Sequence, residues 1–164
     1  MIVISDTTPL RYLIEIEAVH ILETLFGKVL IPQTVANELQ GRNTPQKVKE
    51  WMLALPAWVD IRQADRSLFT PVYQLHDGEW EAFALAIELK ADVLLIDEKN
   101  GRREAKRIGQ FVIPTLAVLE MAAQRNLIDL SDTVDRLSKT SFHASQKLYD
   151  DLLDRDRKRK ESNS

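Results

Sequence analysis

Short apolar runs alternate with helix-periodic stretches along most of the chain. Ile2-Val3-Ile4, Val29-Leu30-Ile31, Val93-Leu94-Leu95-Ile96 and Phe111-Val112-Ile113 each read as a strand buried on both faces. Trp58-Val59-Asp60-Ile61 alternates apolar and polar, as an edge strand does. Between these runs the spacing turns helical. Thr8 and Pro9 offer an N-cap and a first helical position for a helix carrying Leu10, Leu13 and Ile14. A second helix covers Val19 to Phe26, with Gly27 beyond its end. Pro32 opens a helix through Leu39, and Thr44-Pro45 opens another through Leu53. Asp77-Gly78 begins a strongly patterned helix to about Lys90; Gly101 to Ile108 forms a basic one, and Pro114-Thr115 starts one through Ala123. The alternation predicts an α/β fold with a mostly parallel central sheet between helical layers.

From Leu127 onward no strand pattern remains. Asp132 to Leu137 and Ala144 to Leu153 read as helices, and the mainly basic end, Arg155 to Lys160, as a frayed solvated helix or disorder. Residues 1–126 are therefore expected to form the main body, with 127–164 a helical extension of the same domain, since no Gly-, Ser- or Pro-rich linker separates them.

With 164 residues the chain is long enough for one full core. It has no cysteine, which excludes a disulfide framework, cysteine-ligated zinc and thiol catalysis. His20, His76 and His143 are scattered, so a histidine-rich metal site is not expected. No apolar run reaches the length that spans a bilayer, and Met1-Ile2-Val3-Ile4-Ser5 has no basic n-region. The expected location is cytoplasmic. A net charge of −3 argues against a broad basic surface for nucleic acid while allowing a local patch.

The acidic residues change the picture. In an open α/β sheet, ligands bind beyond the carboxyl ends of the strands. Asp6 and Asp97 each follow an apolar strand at that end. On the helix after Asp77, stepping about 100° per residue from Glu79 places Ala82, Phe83 and Ala86 on the same side. The same count places Glu81 and Glu88 about 180–200° away, on an expected solvent face. Glu79 thus belongs to the apolar side, where a carboxylate must be paired, protonated or bound to a cation. Glu38 sits at the border of the Val35–Leu39 face, where spacing alone favours a solvated surface glutamate over a functional one. Together Asp6, Glu38, Glu79 and Asp97 would form an all-oxygen site suited to Mg²⁺ or Mn²⁺, and such sites hydrolyse phosphodiesters.

These residues resemble the PIN-domain nucleases. The opening Ile2-Val3-Ile4-Ser5-Asp6-Thr7-Thr8-Pro9-Leu10 is similar to that family's first motif, and Ile31-Pro32 through Val35 to Glu38-Leu39 to its second. Gly78-Glu79 through Ala82, Leu85 and Ala86 is similar to the third, and Leu95-Ile96-Asp97-Glu98 followed by Arg102 and Ala105 to the fourth. The ordered set spans residues 1 to about 120 and is most similar to a VapC-like prokaryotic subfamily with Ser-Asp-Thr-x-Pro-Leu and Gly-Glu in these places. The resemblance implies a three-layer α/β/α PIN fold and metal-dependent RNA cleavage. It also implies a toxin role, a small antitoxin partner and a homodimer. Carried over, Asp6, Glu38, Glu79 and Asp97 would bind Mg²⁺ or Mn²⁺, with Thr8 beside the first acid. Asp97 is preferred to Glu98 for the fourth place because it follows the strand directly.

Two departures stand out: a Glu at 79 where many PIN domains carry Asp, and Ile96 where many carry Thr or Ser. Arg102, Arg103, Lys106 and Arg107 follow Asp97 on one helix; Arg102, and Arg11 on the first helix, are the candidates for gripping phosphate. The alternative function is a catalytically weak PIN-fold module that binds RNA or protein. A haloacid-dehalogenase-type phosphotransferase would need a second Asp two residues after Asp6, where Thr8 stands.

Overall fold

The computed structural model describes residues 1–164. Its centre is a five-stranded sheet with spatial order β3-β2-β1-β4-β5 and every pair parallel. The strands are β1 (Val3–Ser5), β2 (Val29–Pro32), β3 (Val59–Arg62), β4 (Val93–Leu95) and β5 (Val112–Ile113). The expected edge strand is at the edge. Helices α1 (Thr7–Glu15), α2 (Ile21–Phe26), α3 (Gln33–Glu38), α4 (Gln46–Leu53), α5 (Asp77–Leu89) and α6 (Lys99–Ile108) connect and flank the strands. The parallel order with flanking helices is the expected α/β/α architecture.

The chain divides into two compact units, Met1–Thr115 and Leu116–Ser164. In the first, alternate strand residues face opposite ways. Ile4, Leu30, Leu94 and Ile96 face one core with Phe83, Ala82, Ala86 and Ala105, all buried. Val3, Val29, Ile31, Val93 and Leu95 carry the other parity and are equally buried. Leu10, Leu13, Ile14, Ile16, Ile21, Leu22 and Phe26 are core residues of this unit as well. The apolar residues of the early helices are therefore buried within the protomer.

The second unit contains most of α7 (Thr115–Gln124), then α8 (Leu130–Ser138) and α9 (Gln146–Ser162). The basic end is neither frayed nor disordered but helical to Ser162. Acids precede bases by three or four residues there: Asp154 pairs with Arg157 and Lys158, and Asp156 with Arg159 and Lys160. Such pairs, acid N-terminal to base, each add a few tenths of a kcal/mol to a helix. No helix is long and apolar enough to cross a membrane.

The sheet order sets the site. From β1 the chain runs outward through β2 to β3, then returns to place β4 on the other side of β1. The order reverses between β1 and β4, and their carboxyl ends flank the crevice such a reversal opens. Ser5 is in register with Leu95, and the Asp6 amide donates to the Leu95 carbonyl at 3.0 Å. Asp6 and Asp97 thus leave neighbouring strands at the same edge.

Candidate functional site

Each acidic residue reaches this edge by a different route. Asp6 follows β1 as the N-cap residue of α1, a position expected for Thr8. The helix starts earlier than predicted because Thr7 already has helical backbone, and the Asp6 carboxylate caps nothing. It is 4% exposed. Burial pushes its carboxyl up to about 8, with the charges of Glu79, Glu38 and Asp97 adding to the rise and the Thr7 amide opposing it.

Glu38 ends α3, the helix that leaves β2, and the Thr7 hydroxyl donates to it. The small polar residue that engages an acid is thus Thr7, while Thr8 lies within the first helical turn. Glu79 sits in the first turn of α5, 2% exposed, on the inner side as its position on the helix predicted. The His76 amide donates to its Oε1 at 3.1 Å, a back-bond that a first-turn glutamate commonly accepts. Its Oε2 is buried without a hydrogen-bond partner. Burial raises this carboxyl too, with Glu98 and Glu38 adding to the rise. Asp97 follows β4 and accepts from the Thr115 amide at 2.9 Å and the Thr115 hydroxyl at 2.6 Å. Burial raises its carboxyl; the two Thr115 bonds and the positive charge of Arg102 pull the other way. Glu98, the N-cap residue of α6, is exposed.

Two glycines shape the centre. A Cβ on Gly78 would stand 3.0 Å from Glu38 Oε2 and 3.2 Å from Asp6 Oδ1. A Cβ on Gly101 would stand 2.8 Å from both Glu79 Oε2 and Ile96 Cγ2. The carboxylates come this close to helix backbone only because both positions lack a side chain. No group of three or more His, Asp or Glu closes to metal-ligating distance; Glu38, Glu79 and Asp97 are each turned to a protein donor. The donor set still fits a hard divalent cation. It is all oxygen, it contains a buried orphan at Glu79 Oε2, and it lines a gap that glycine keeps open.

Several supporting residues are not legible in the sequence. Glu81, placed by helix angle on the solvent face, is buried. It accepts from the Thr34 hydroxyl at 2.7 Å and pairs with Arg66 at 2.9 Å, tying α5 to α3 one turn from Glu38. A helix angle taken from one helix cannot register a second helix laid across that face. Thr115 follows β5 as Asp97 follows β4, so the same strand-end rule could have found it.

Glu104, inside the basic run, is fully buried. It accepts from the Val72 amide, from the Tyr73 amide at 2.6 Å and from Arg107 at 2.6 Å. Burial raises its carboxyl, but the bonds from Tyr73, Arg107 and Val72 outweigh burial and hold it below the ordinary value. Its stabilising contribution is thus complete at neutral pH and lost as pH falls through the folded value. Glu104→Ala should cost about 3 kcal/mol at pH 7, by orphaning two amides and a guanidinium. The urea midpoint measures it, and an unchanged midpoint would show that solvent replaces the bonds.

Of the phosphate candidates, Arg102 is exposed and its charge reaches Asp97. Arg11 pairs with Glu15 at 3.2 Å and lies over Tyr12, contacts along its own helix. Trp80 donates to the Phe69 carbonyl at 2.8 Å, and Trp51 lies against Trp58.

No match to the chain is found among curated proteins or among solved structures. A family model described as PIN domain matches residues 2–158, nearly the whole chain. With its parallel sheet and the acids gathered at the β1/β4 edge, the chain belongs to the PIN-domain family, whose members are generally nucleases.

Proposed function

We propose that the protein is a divalent-metal-dependent endoribonuclease, with Asp6, Glu38, Glu79 and Asp97 as its metal-binding acids. The observation that carries this reading is the mutually repelling set around Gly78 and Gly101, two of its acids buried and two half-buried. Three of its acids are raised by burial, and one oxygen is left without a partner. So many carboxylates in so little water are costly, and the charges of Arg102 near Asp97 and His76 near Glu79 offset that cost only in part. A bound Mg²⁺ or Mn²⁺ would supply the remaining counter-charge, neutralise the scissile phosphate and lower the pKa of the attacking water.

The chain's own groups do the rest. Thr7, the His76 amide and Thr115 orient Glu38, Glu79 and Asp97 respectively. Ile96, fully buried beside Gly101, keeps water from that side of Glu79. Arg102 offers its guanidinium to a flanking phosphate. Thr8 and Glu98 are proposed only as supporting groups at the rim, and Arg11 as a more distant phosphate contact.

RNA cleavage that appears with Mn²⁺ or Mg²⁺ and disappears with chelator is the expected result. A purified, folded protein that cuts no RNA with either metal would favour the binding-module alternative. The VapC-like resemblance further proposes a toxin role in the cytoplasm, a small antitoxin partner and a homodimer. A short reading frame adjacent to this one is the observation that tests the toxin–antitoxin pairing. The dimer rests on the resemblance alone, because the early apolar helices are core; light scattering at micromolar concentration measures it.

A further inference from the structure

Helix α3 has six residues, and its N-cap, Pro32, makes no side-chain cap bond. A helix this short is marginal on its own hydrogen bonds. Yet its last residue, Glu38, must be held where it lies against Gly78 together with Asp6. The support comes from another helix. Glu81 of α5 accepts from the Thr34 amide at 3.3 Å and from the Thr34 hydroxyl at 2.7 Å. That amide is one of the donors a helix start leaves without an internal partner, so Glu81 caps α3 from outside.

Two contacts join the helices here. At one, the Cβ position of Gly78 stands 3.0 Å from Glu38 Oε2. At the other, Glu81 holds Thr34. Gly78 and Glu81 are three residues apart on α5, and Thr34 and Glu38 are four apart on α3. Each pair therefore lies about one turn apart along one side of its helix. The order is reversed: the earlier residue of α5 meets the later residue of α3. Two contacts one turn apart fix the register of α3 on α5, and that register decides how far the Glu38 carboxylate stands from Gly78.

A third element seats the acid. Arg66, in the 3-10 turn Arg66–Leu68, donates from Nε to Glu81 Oε2 at 3.0 Å and pairs with it through Nη2 at 2.9 Å. Its Nη1 pairs with Asp77 at 3.2 Å, and its guanidinium lies 5.5 Å from the centroid of the Trp80 ring. Arg66 thus runs along the first turn of α5 and presents Glu81 to Thr34. Just after the turn, the Phe69 carbonyl accepts from Trp80 at 2.8 Å and the Phe69 ring stacks on Phe83, so the segment carrying Arg66 is itself tied to α5. A carboxylate 9% exposed, with donors from two other elements, has no freedom to swing.

We infer that Glu81, seated by Arg66 and holding Thr34, is a positioning residue that sets Glu38 in place at the carboxylate centre. The clasp acts by keeping α3 in register on α5. It rests on the metal-dependent reading for what Glu38 does once it is in place. Groups that orient a metal-ligating side chain are typically worth 10- to 100-fold in metal affinity.

The test is the Mn²⁺ affinity of the full-length protein without RNA, read from the electron paramagnetic resonance signal of free Mn²⁺. Thr34→Val removes the hydroxyl but keeps the shape and the amide bond, and it should weaken Mn²⁺ binding about 10- to 100-fold. Thr34→Ser should restore the wild-type value. Glu81→Gln should lose affinity in the same range as Thr34→Val, because an amide cannot pair with Arg66. On a Glu38→Gln background, Thr34→Val should change the affinity by less than about twofold, since no carboxylate is left there to position. A folded Thr34→Val protein with wild-type Mn²⁺ affinity would overturn the clasp, even if its melting temperature is lower. So would failure of Thr34→Ser to rescue, or an equal loss with and without the Glu38 carboxylate. A wild type that binds no Mn²⁺ would overturn the clasp and the metal reading together. Thr34-dependent Mn²⁺ binding by a protein that never cleaves RNA would refute the nuclease reading alone. Metal-dependent cleavage by a wild type whose Mn²⁺ affinity Thr34→Val leaves unchanged would refute the clasp alone.

Discussion

Asp6→Asn should do two opposite things: abolish metal-dependent RNA cleavage and stabilise the metal-free fold at alkaline pH. The loss of activity should be at least about a thousandfold, the scale of removing a carboxylate that holds a charge-neutralising cation. The gain in stability follows from the raised carboxyl. In the fold Asp6 holds its proton up to about pH 8, whereas its unperturbed value is 3.8. Between these values the folded chain binds more protons than the unfolded one, so stability falls as pH rises, and it levels off above the folded value. The fall is at most about 6 kcal/mol. Asparagine carries no charge, so this slope should vanish from the mutant.

Metal should act in the opposite sense on the wild type, because a cation that binds only the folded state adds about 2.7 kcal/mol at a hundredfold excess over its Kd. That increment should shrink in Asp6→Asn. Melting curves from pH 5 to 9, with chelator and with Mn²⁺, read both halves. An Asp6→Asn protein that cuts RNA at the wild-type rate, or whose melting temperature in chelator declines with pH as steeply as the wild type's, removes Asp6 from the centre. Asp97→Asn should lose cleavage as well. Its gain in chelator should be present but smaller, because two Thr115 bonds already offset the burial of the aspartate.

The second large effect should come from a single methyl group. Gly78→Ala puts a carbon 3.0 Å from Glu38 Oε2 and 3.2 Å from Asp6 Oδ1, in the gap between two acids. Both contacts are with side-chain ends, and Glu38 is only half-buried, so it can turn aside. Alanine in a helix also gains about 1 kcal/mol over glycine. The fold should therefore be unharmed or slightly firmer, while cleavage falls at least about tenfold, the cost of a small misplacement of reacting groups, and the Mn²⁺-dependent stabilisation shrinks.

Gly101→Ala provides the contrast. Its methyl would meet Ile96 Cγ2 at 2.8 Å, and Ile96 is a fully buried, β-branched side chain with little freedom to turn. Overpacking there should cost about 1–3 kcal/mol before any effect on Glu79. Thermal melts and cleavage rates on the two variants separate crowding of the site from crowding of the core. Full cleavage by Gly78→Ala would show that the gap between Glu38 and Asp6 is not where the cation binds.

The sheet was legible in the sequence by itself, because each strand is a short apolar run buried on both faces, and few structures other than a covered parallel sheet produce such runs between helices. The strand ends also placed Asp6 and Asp97 at one edge, since parallel strands share a carboxyl end, and the helix angle put Glu79 inward, since its own helix supplies that angle. What depended on a second element was out of reach. Glu81 and Glu104 look like solvated charges when each helix is taken by itself. Burial came to Glu81 because α3 crosses its face and Thr34 and Arg66 meet it there. It came to Glu104 because a loop some thirty residues earlier folds its Val72 and Tyr73 amides onto the carboxylate.

The basic helix was illegible for the same reason. Four cations that look alike along the chain divide into two that clamp a loop and two that face solvent, and only the position of the loop makes that division. The close approach of Glu38 to Asp6 was likewise undetermined in the sequence. Local periodicity encodes which way a side chain leaves its own backbone; which other backbone is waiting there is set by packing between elements far apart in the chain.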